Sequence, residues 1–235
     1  MLVVKGESSL LVSVHLPKTG GASFGKSLRD NFGSGLLRDY GDFPINTPQL
    51  ERNKSALQNC LANDEKEFHG KECIHGHFLP IKYLPLSDRR NTNFITWLRN
   101  PVERVLSHYY YWQRTYNPKK APALHKAMME EKWSLERFCL GPEVKNLYSQ
   151  FLYGFPLEYF SFIGITEFYD DDFAYFVSHY LGVDMEPEMR NVGKKGKGID
   201  GYQISETMRN DIESYHSEDM DLYQRVLEMR LTKRS

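Results

Sequence analysis

The chain has 235 residues, 40% of them hydrophobic, and a formal net charge of −1. That length fits one α/β domain, and the apolar content suffices for a real core, which excludes general disorder. The near-neutral charge gives no global pull toward nucleic acid or an anionic membrane, so any basic site must be local.

The first element in chain order is a short apolar strand, Leu10 to His15, running into the turn Pro17-Lys18-Thr19-Gly20-Gly21 and a helix from Gly21 to Asn31. A strand that ends in a turn rich in backbone N–H groups, followed by a helix N-terminus, is an anion site. Pro48 to Asp64 reads as a helix with Leu50, Leu57 and Leu61 on one face. A second strand, Glu72 to His77, ends in His75-Gly76-His77, and a third, Asn93 to Leu98, ends in Arg99-Asn100-Pro101. Pro101 suits a first helical position, and Val102, Val105, Leu106 and Tyr109 give the helix Pro101 to Thr115 its apolar spacing. Ser134 can cap a short helix that stops at Gly141. A fourth strand, Phe160 to Thr166, ends at Thr166-Glu167 and leads to a helix from Asp170 to Leu181 with Gly182 as its stop. From Ser205 the tail is helical in character, as two helices broken near Ser217.

Strands alternating with helices predict a parallel sheet covered on both faces, in a single domain spanning 1–235. Ligands of such sheets bind at the carboxyl ends of the strands, and all four ends carry polar, chemically capable residues. Cys60, Cys73 and Cys139 are few, odd in number and not spaced as metal ligands, which predicts reduced thiols and a cytoplasmic setting. The apolar run before His15 is too short to span a membrane, so no transmembrane segment is expected. A Golgi-lumen setting would need an anchor outside this chain, and a bacterial cytosolic enzyme fits better.

The first turn is not a Walker A loop, because Lys18 precedes Gly20 and Gly21 instead of following the last glycine. The run from His15 to Phe24, HLPKTGGASF, instead closely resembles the 5′-phosphosulfate loop of sulfotransferases, in the branch of the heparan-sulfate and chondroitin carbohydrate O-sulfotransferases and their bacterial relatives. The run from Ile95 to Tyr109, ITWLRNPVERVLSHY, resembles that family's 3′-phosphate element.

The resemblance implies a three-layer sandwich around a central parallel sheet, of the P-loop nucleotide-kinase-like type. It implies 3′-phosphoadenosine 5′-phosphosulfate (PAPS) as donor, 3′,5′-adenosine bisphosphate as product, and no metal. Backbone N–H groups of Thr19, Gly20, Gly21, Ala22 and Ser23 would hold the 5′-phosphate, with the Thr19 and Ser23 hydroxyls. Lys18 would reach the bridging oxygen, Arg99 and Ser107 would hold the 3′-phosphate, and Lys194 or Lys195 in the glycine-rich loop after the last strand–helix unit would fold over the donor. In family members with His-Gly-His the second histidine is the base. That makes His77 the expected base and His75 a substrate or supporting contact; the choice between them stays open.

His15 is expected to support the loop. Glu167 fits either the nucleotide edge or a helix-cap or ion-pair role. Tyr109 to Trp112 reads mostly as core, with Tyr111 or Trp112 a candidate to reach the acceptor. The expected partner is a hydroxyl-bearing acceptor, first a glycan, with no nucleic acid. A uronate-rich polymer should select a strongly basic cleft, so a neutral or lightly charged glycan, or a small lipid-like or secondary-metabolite hydroxyl, stands beside it. The rival chemistry is phosphoryl transfer on a related fold.

Overall fold

The computed structural model describes residues 9–42, 47–62, 68–181 and 202–234. Five strands form one sheet: β1 (Ser9–Val14), β2 (Leu36–Asp39), β3 (Cys73–Gly76), β4 (Asn91–Leu98) and β5 (Phe160–Ile165), in the order β2-β3-β1-β4-β5. Every pairing is parallel. The expected parallel α/β sheet is therefore present, with one strand more than the apolar runs indicated. β2 is only LLRD, lies at the edge and is half-exposed, so it carries no buried apolar run to read.

The nine α-helices of the described chain are α1 (Gly21–Phe32), α2 (Gln49–Ala62), α3 (Pro101–Thr115), α4 (Ala123–Glu130), α5 (Leu135–Cys139), α6 (Leu147–Phe151), α7 (Tyr169–Phe176), α8 (Glu206–Tyr215) and α9 (Ser217–Arg234). On one face of the sheet, Leu11, Cys73, Ile95, Trp97 and Phe162 pack against Phe24 and Leu28 of α1 and Phe173 and Phe176 of α7. On the other face, Leu10, Val12, Ile74, Phe94 and Leu98 pack against Leu147 and Phe151 of α6 and Tyr223 and Val226 of α9. Strand residues thus alternate between two cores, which is why the runs read as continuously apolar. Fully burying a side chain of this size contributes roughly 1.5–3 kcal/mol. A third cluster joins α3 to α4, α5 and α8 through Val105, Met128, Phe138 and Ile212.

The α3 boundary is fixed by local chemistry. The Asn100 side chain accepts hydrogen bonds from the N–H groups of Val102 and Glu103, and Pro101 fills the first helical position. Ser134 caps α5 by accepting from Arg137 N–H. The tail forms two helices that meet at His216–Ser217, as its pattern predicts. The α2 expectation needs correction. Its buried residues are Arg52 and Ala56, whereas Leu50 and Leu61 are 81% and 89% exposed, so the leucine stripe does not face the core. Helix α2 packs instead against the 3-10 segment Pro80–Asp88, and Arg52 is tied by hydrogen bonds to Thr47 O and Gln150 Oε1. Gly182 lies outside the described residues, and the last turn before it, Val177–Leu181, is π-helical.

Candidate active site

The carboxyl ends of β1, β3 and β4 stand side by side, and the chemistry gathers there. After Val14 the chain passes His15 and turns through Lys18 at φ 69° and Gly20 at φ 85°, both left-handed. Alternating handedness turns backbone N–H groups to one side of a turn, and the first N–H groups of α1 have no intrahelical acceptor. The conformation is strained at Lys18, where a side chain in the left-handed region costs about 1–2 kcal/mol. Gly21 has a different reason to be glycine. A Cβ there would lie 1.9 Å from Nε2 of His15, so the imidazole packs flush on the backbone. His15 supports the turn as expected.

Three further contacts hold the turn. The Thr19 hydroxyl donates to Leu16 O at 2.9 Å, and Thr19 is 1% exposed. Ser23 N–H donates to Gly20 O at 3.2 Å, so that amide closes the turn. The Thr166 hydroxyl lies 3.0 Å from Thr19 O and 2.8 Å from Leu98 O, tethering the turn to the ends of β4 and β5.

Arg99 and Asn100 form the β4–α3 turn. Tyr148 grips Arg99 twice, its hydroxyl donating to Arg99 O at 2.7 Å and accepting from Arg99 N–H at 3.0 Å. Glu167 resolves into a brace. Its two carboxylate oxygens accept from Asn100 N–H at 2.9 Å and from the Tyr223 hydroxyl at 3.1 Å. On α3, Ser107, Tyr111 and Arg114 follow at i, i+4 and i+7 and share one face. Lys18 Nζ sits 3.7 Å from the Tyr111 ring centroid. Burial, then the charges of Arg114 and Arg99, pull the Lys18 amine down to about 8.

The three strand-end histidines form one stack. The His15 ring lies 4.3 Å from that of His77 and 5.2 Å from that of His75. Their surroundings differ. His75 is 2% exposed; its Nδ1 pairs with the Ser13 hydroxyl at 2.9 Å and its Nε2 faces Gly25 of α1, where a Cβ would stand 2.7 Å away. Burial first, then neighbouring positive charge, takes His75 down to about 3. His77 lies just past the end of β3 and is only half-buried. Its Nδ1–H donates to the carbonyl of His15 at 2.5 Å, since a carbonyl can only accept. The other ring nitrogen, Nε2, is thereby the one with the lone pair. Burial lowers the His77 pKa, opposed by that hydrogen bond.

Tyr40, just after β2, escaped the sequence reading along with that strand. Its hydroxyl is 3.3 Å from His15 Nδ1 and its ring stands edge-on to His77 at 5.0 Å. Of the aromatic run, Tyr109 and Trp112 are buried, whereas Tyr111 is 42% exposed and stands over Lys18. Lys194 and Lys195 lie outside the described residues. No described helix is long and apolar enough to cross a membrane.

No family model matches the chain, and no curated protein sequence matches it. Among solved structures, a sulfotransferase from Alicyclobacillus acidocaldarius is similar over 89% of this chain and 91% of its own, with 16% identity and a TM-score of 0.46. The mouse sulfotransferase SULT7A1 complexed with PAP is similar over 91% of this chain and 65% of its own, with 13% identity and a TM-score of 0.35.

Proposed function

We propose that this chain transfers a sulfuryl group from PAPS to an acceptor hydroxyl by in-line displacement. One observation carries the reading. A lysine, an arginine and a helix N-terminus converge on one edge of the sheet, beside a histidine whose Nδ1 is fixed as donor. The donor set fits the cofactor, because a strained glycine turn and a second cationic turn suit two separate phosphate groups.

The backbone N–H groups from Thr19 to Ala22, at the start of α1, would hold the 5′-phosphate, and Arg99 with Ser107 the 3′-phosphate; the Ser23 amide and the Thr19 hydroxyl, expected to join them, are engaged within the turn instead. PAPS, when bound, supplies the sulfuryl group and an anionic leaving group. Lys18 places its ammonium where charge develops on the leaving oxygen, the kind of preorganised electrostatics that dominates such transfers. His77 Nε2 takes the acceptor's proton, and the lowered pKa keeps that nitrogen unprotonated at neutral pH. His75 is buried behind His15 and serves as a supporting group, so of the two histidines His77 is the base we favour. A glycan hydroxyl is the first acceptor class to try, with small lipid-like hydroxyls second, in a cytoplasmic setting.

Transfer of labelled sulfate from PAPS to an acceptor panel tests the reading. Lys18→Ala and His77→Ala are each expected to lose about 10²-fold or more in turnover. Near-wild-type turnover in both variants would sink the mechanism. Calorimetry with 3′,5′-adenosine bisphosphate against ATP and Mg²⁺ separates it from phosphoryl transfer, since only the bisphosphate should bind tightly.

A further inference from the structure

Lys18 carries a long side chain that a flexible turn would leave to sample many rotamers. Here its ammonium is held at one place, 3.7 Å from the centroid of the Tyr111 ring. Among the described residues no carboxylate forms an ion pair with Lys18, and the charges that bear on it most are those of Arg99 and Arg114, both positive. An ammonium repelled from two sides and paired with no acid has the π face as its counter-charge. Tyr111 is 42% exposed, so its ring stands at the surface beside the Lys18 turn and is not a core side chain that Lys18 happens to cross. It also projects from the α3 face that carries Ser107 one turn earlier.

We infer that Tyr111 is a positioning residue: its ring seats the Lys18 ammonium in the anion site before any anion arrives, so that binding need not order the lysine. This rests on the sulfuryl-transfer reading for the identity of the anion, but not for the seat itself. The ring, not the hydroxyl, does the positioning. Tyr111→Phe should therefore behave as wild type and Tyr111→Leu should not.

The seat is read first without a ligand. The Lys18 ε-methylene protons should be displaced upfield by the ring current, in a proton NMR signal assigned by its loss in Lys18→Met. The signal should persist in Tyr111→Phe and return to the ordinary lysine position in Tyr111→Leu. A normal lysine shift in the wild type would overturn the inference.

Calorimetry with 3′,5′-adenosine bisphosphate then reads the consequence. Tyr111→Leu should weaken binding about 2- to 30-fold, and should have no further effect in a Lys18→Met background. Equal or tighter binding by Tyr111→Leu overturns the positioning role, as does an undiminished loss in the Lys18→Met background. If the wild type does not bind the bisphosphate at all, the sulfuryl-transfer reading falls, while the NMR signal still decides the seat.

Discussion

At the scale of single residues, the site sets two proton equilibria on either side of neutrality. In the proposed transfer Lys18 must carry its proton to stabilise a leaving group, and its pKa is lowered to about 8. In the same proposal His77 must lack its proton to act as a base, and burial holds it below its ordinary 6.5. The pH profile of kcat/KM, which reports the free protein, should therefore fall above about pH 8 and again on the acid side below 6.5. The alkaline limb belongs to Lys18, so Lys18→Arg, which keeps its charge, should lose that limb at reduced rate. A rate measured from pH 5 to 10 in both proteins checks this; an alkaline limb unchanged in Lys18→Arg would assign it elsewhere. The distinction between the two histidines belongs to this scale and could not be read from spacing. Period-two alternation puts His75 and His77 on one face, but depth is decided by Gly25 on a helix fifty residues earlier, which lets α1 close over His75.

At the scale of elements, α1 does two things, and Phe24 joins them. Its N-terminus carries amides with no intrahelical acceptor, which would face an anion in the proposed site, and one turn later Phe24, 1% exposed, packs among Trp97, Phe173 and Phe176. The turn is thus bolted to the core that lies beneath it. Phe24→Ala should cost about 3–5 kcal/mol of stability, measured by urea unfolding, and should weaken bisphosphate binding as the turn loosens. A loss below about 1 kcal/mol would show that the core does not hold α1. The elements most legible in the sequence were those with strong local signals. β1 and β4 are apolar runs buried on both faces, and α3 is marked by Asn100 and Pro101 before its periodic stripe. β2 was silent because an edge strand of four half-exposed residues has little apolar side chain to show, and Tyr40 was missed with it. The Leu50–Leu61 stripe of α2 misled because helical periodicity records an apolar face without saying what covers it.

At the scale of the whole molecule, burial has been spent on charge and imidazole as well as on hydrocarbon. Arg104 is 0% exposed, and none of its guanidinium nitrogens has a hydrogen-bond partner among the described residues. It sits 5.7 Å from the Tyr148 ring, and its charge opposes the effect of burial on Asp219. His75, His108 and His216 are all buried and all held neutral, His75 at about 3, His216 at about 4 and His108 well below 6.5, with burial the largest cause in each. Unfolded, these rings would take protons below pH 6.5; folded, they resist until much lower. Their contribution to stability is therefore complete above pH 6.5 and is lost as the pH falls through that window, at up to about 1.4 kcal/mol per pH unit for each ring. The urea midpoint should drop clearly between pH 7 and pH 5, and a midpoint that does not move would mean that the rings titrate normally. His15 has a consequence of another kind. Its carbonyl holds the tautomer of His77, and its imidazole props Gly21. Backbone and side chain of one residue thus serve both the His77 ring and the Lys18–Gly21 turn, and only one of those services can be inherited differently. Any residue at position 15 still offers the carbonyl, whereas the prop exists only for a ring of that shape. Sequence drift at this position would therefore keep the Nδ1–H of His77 engaged while removing both the prop under Gly21 and the ring stacked on His77.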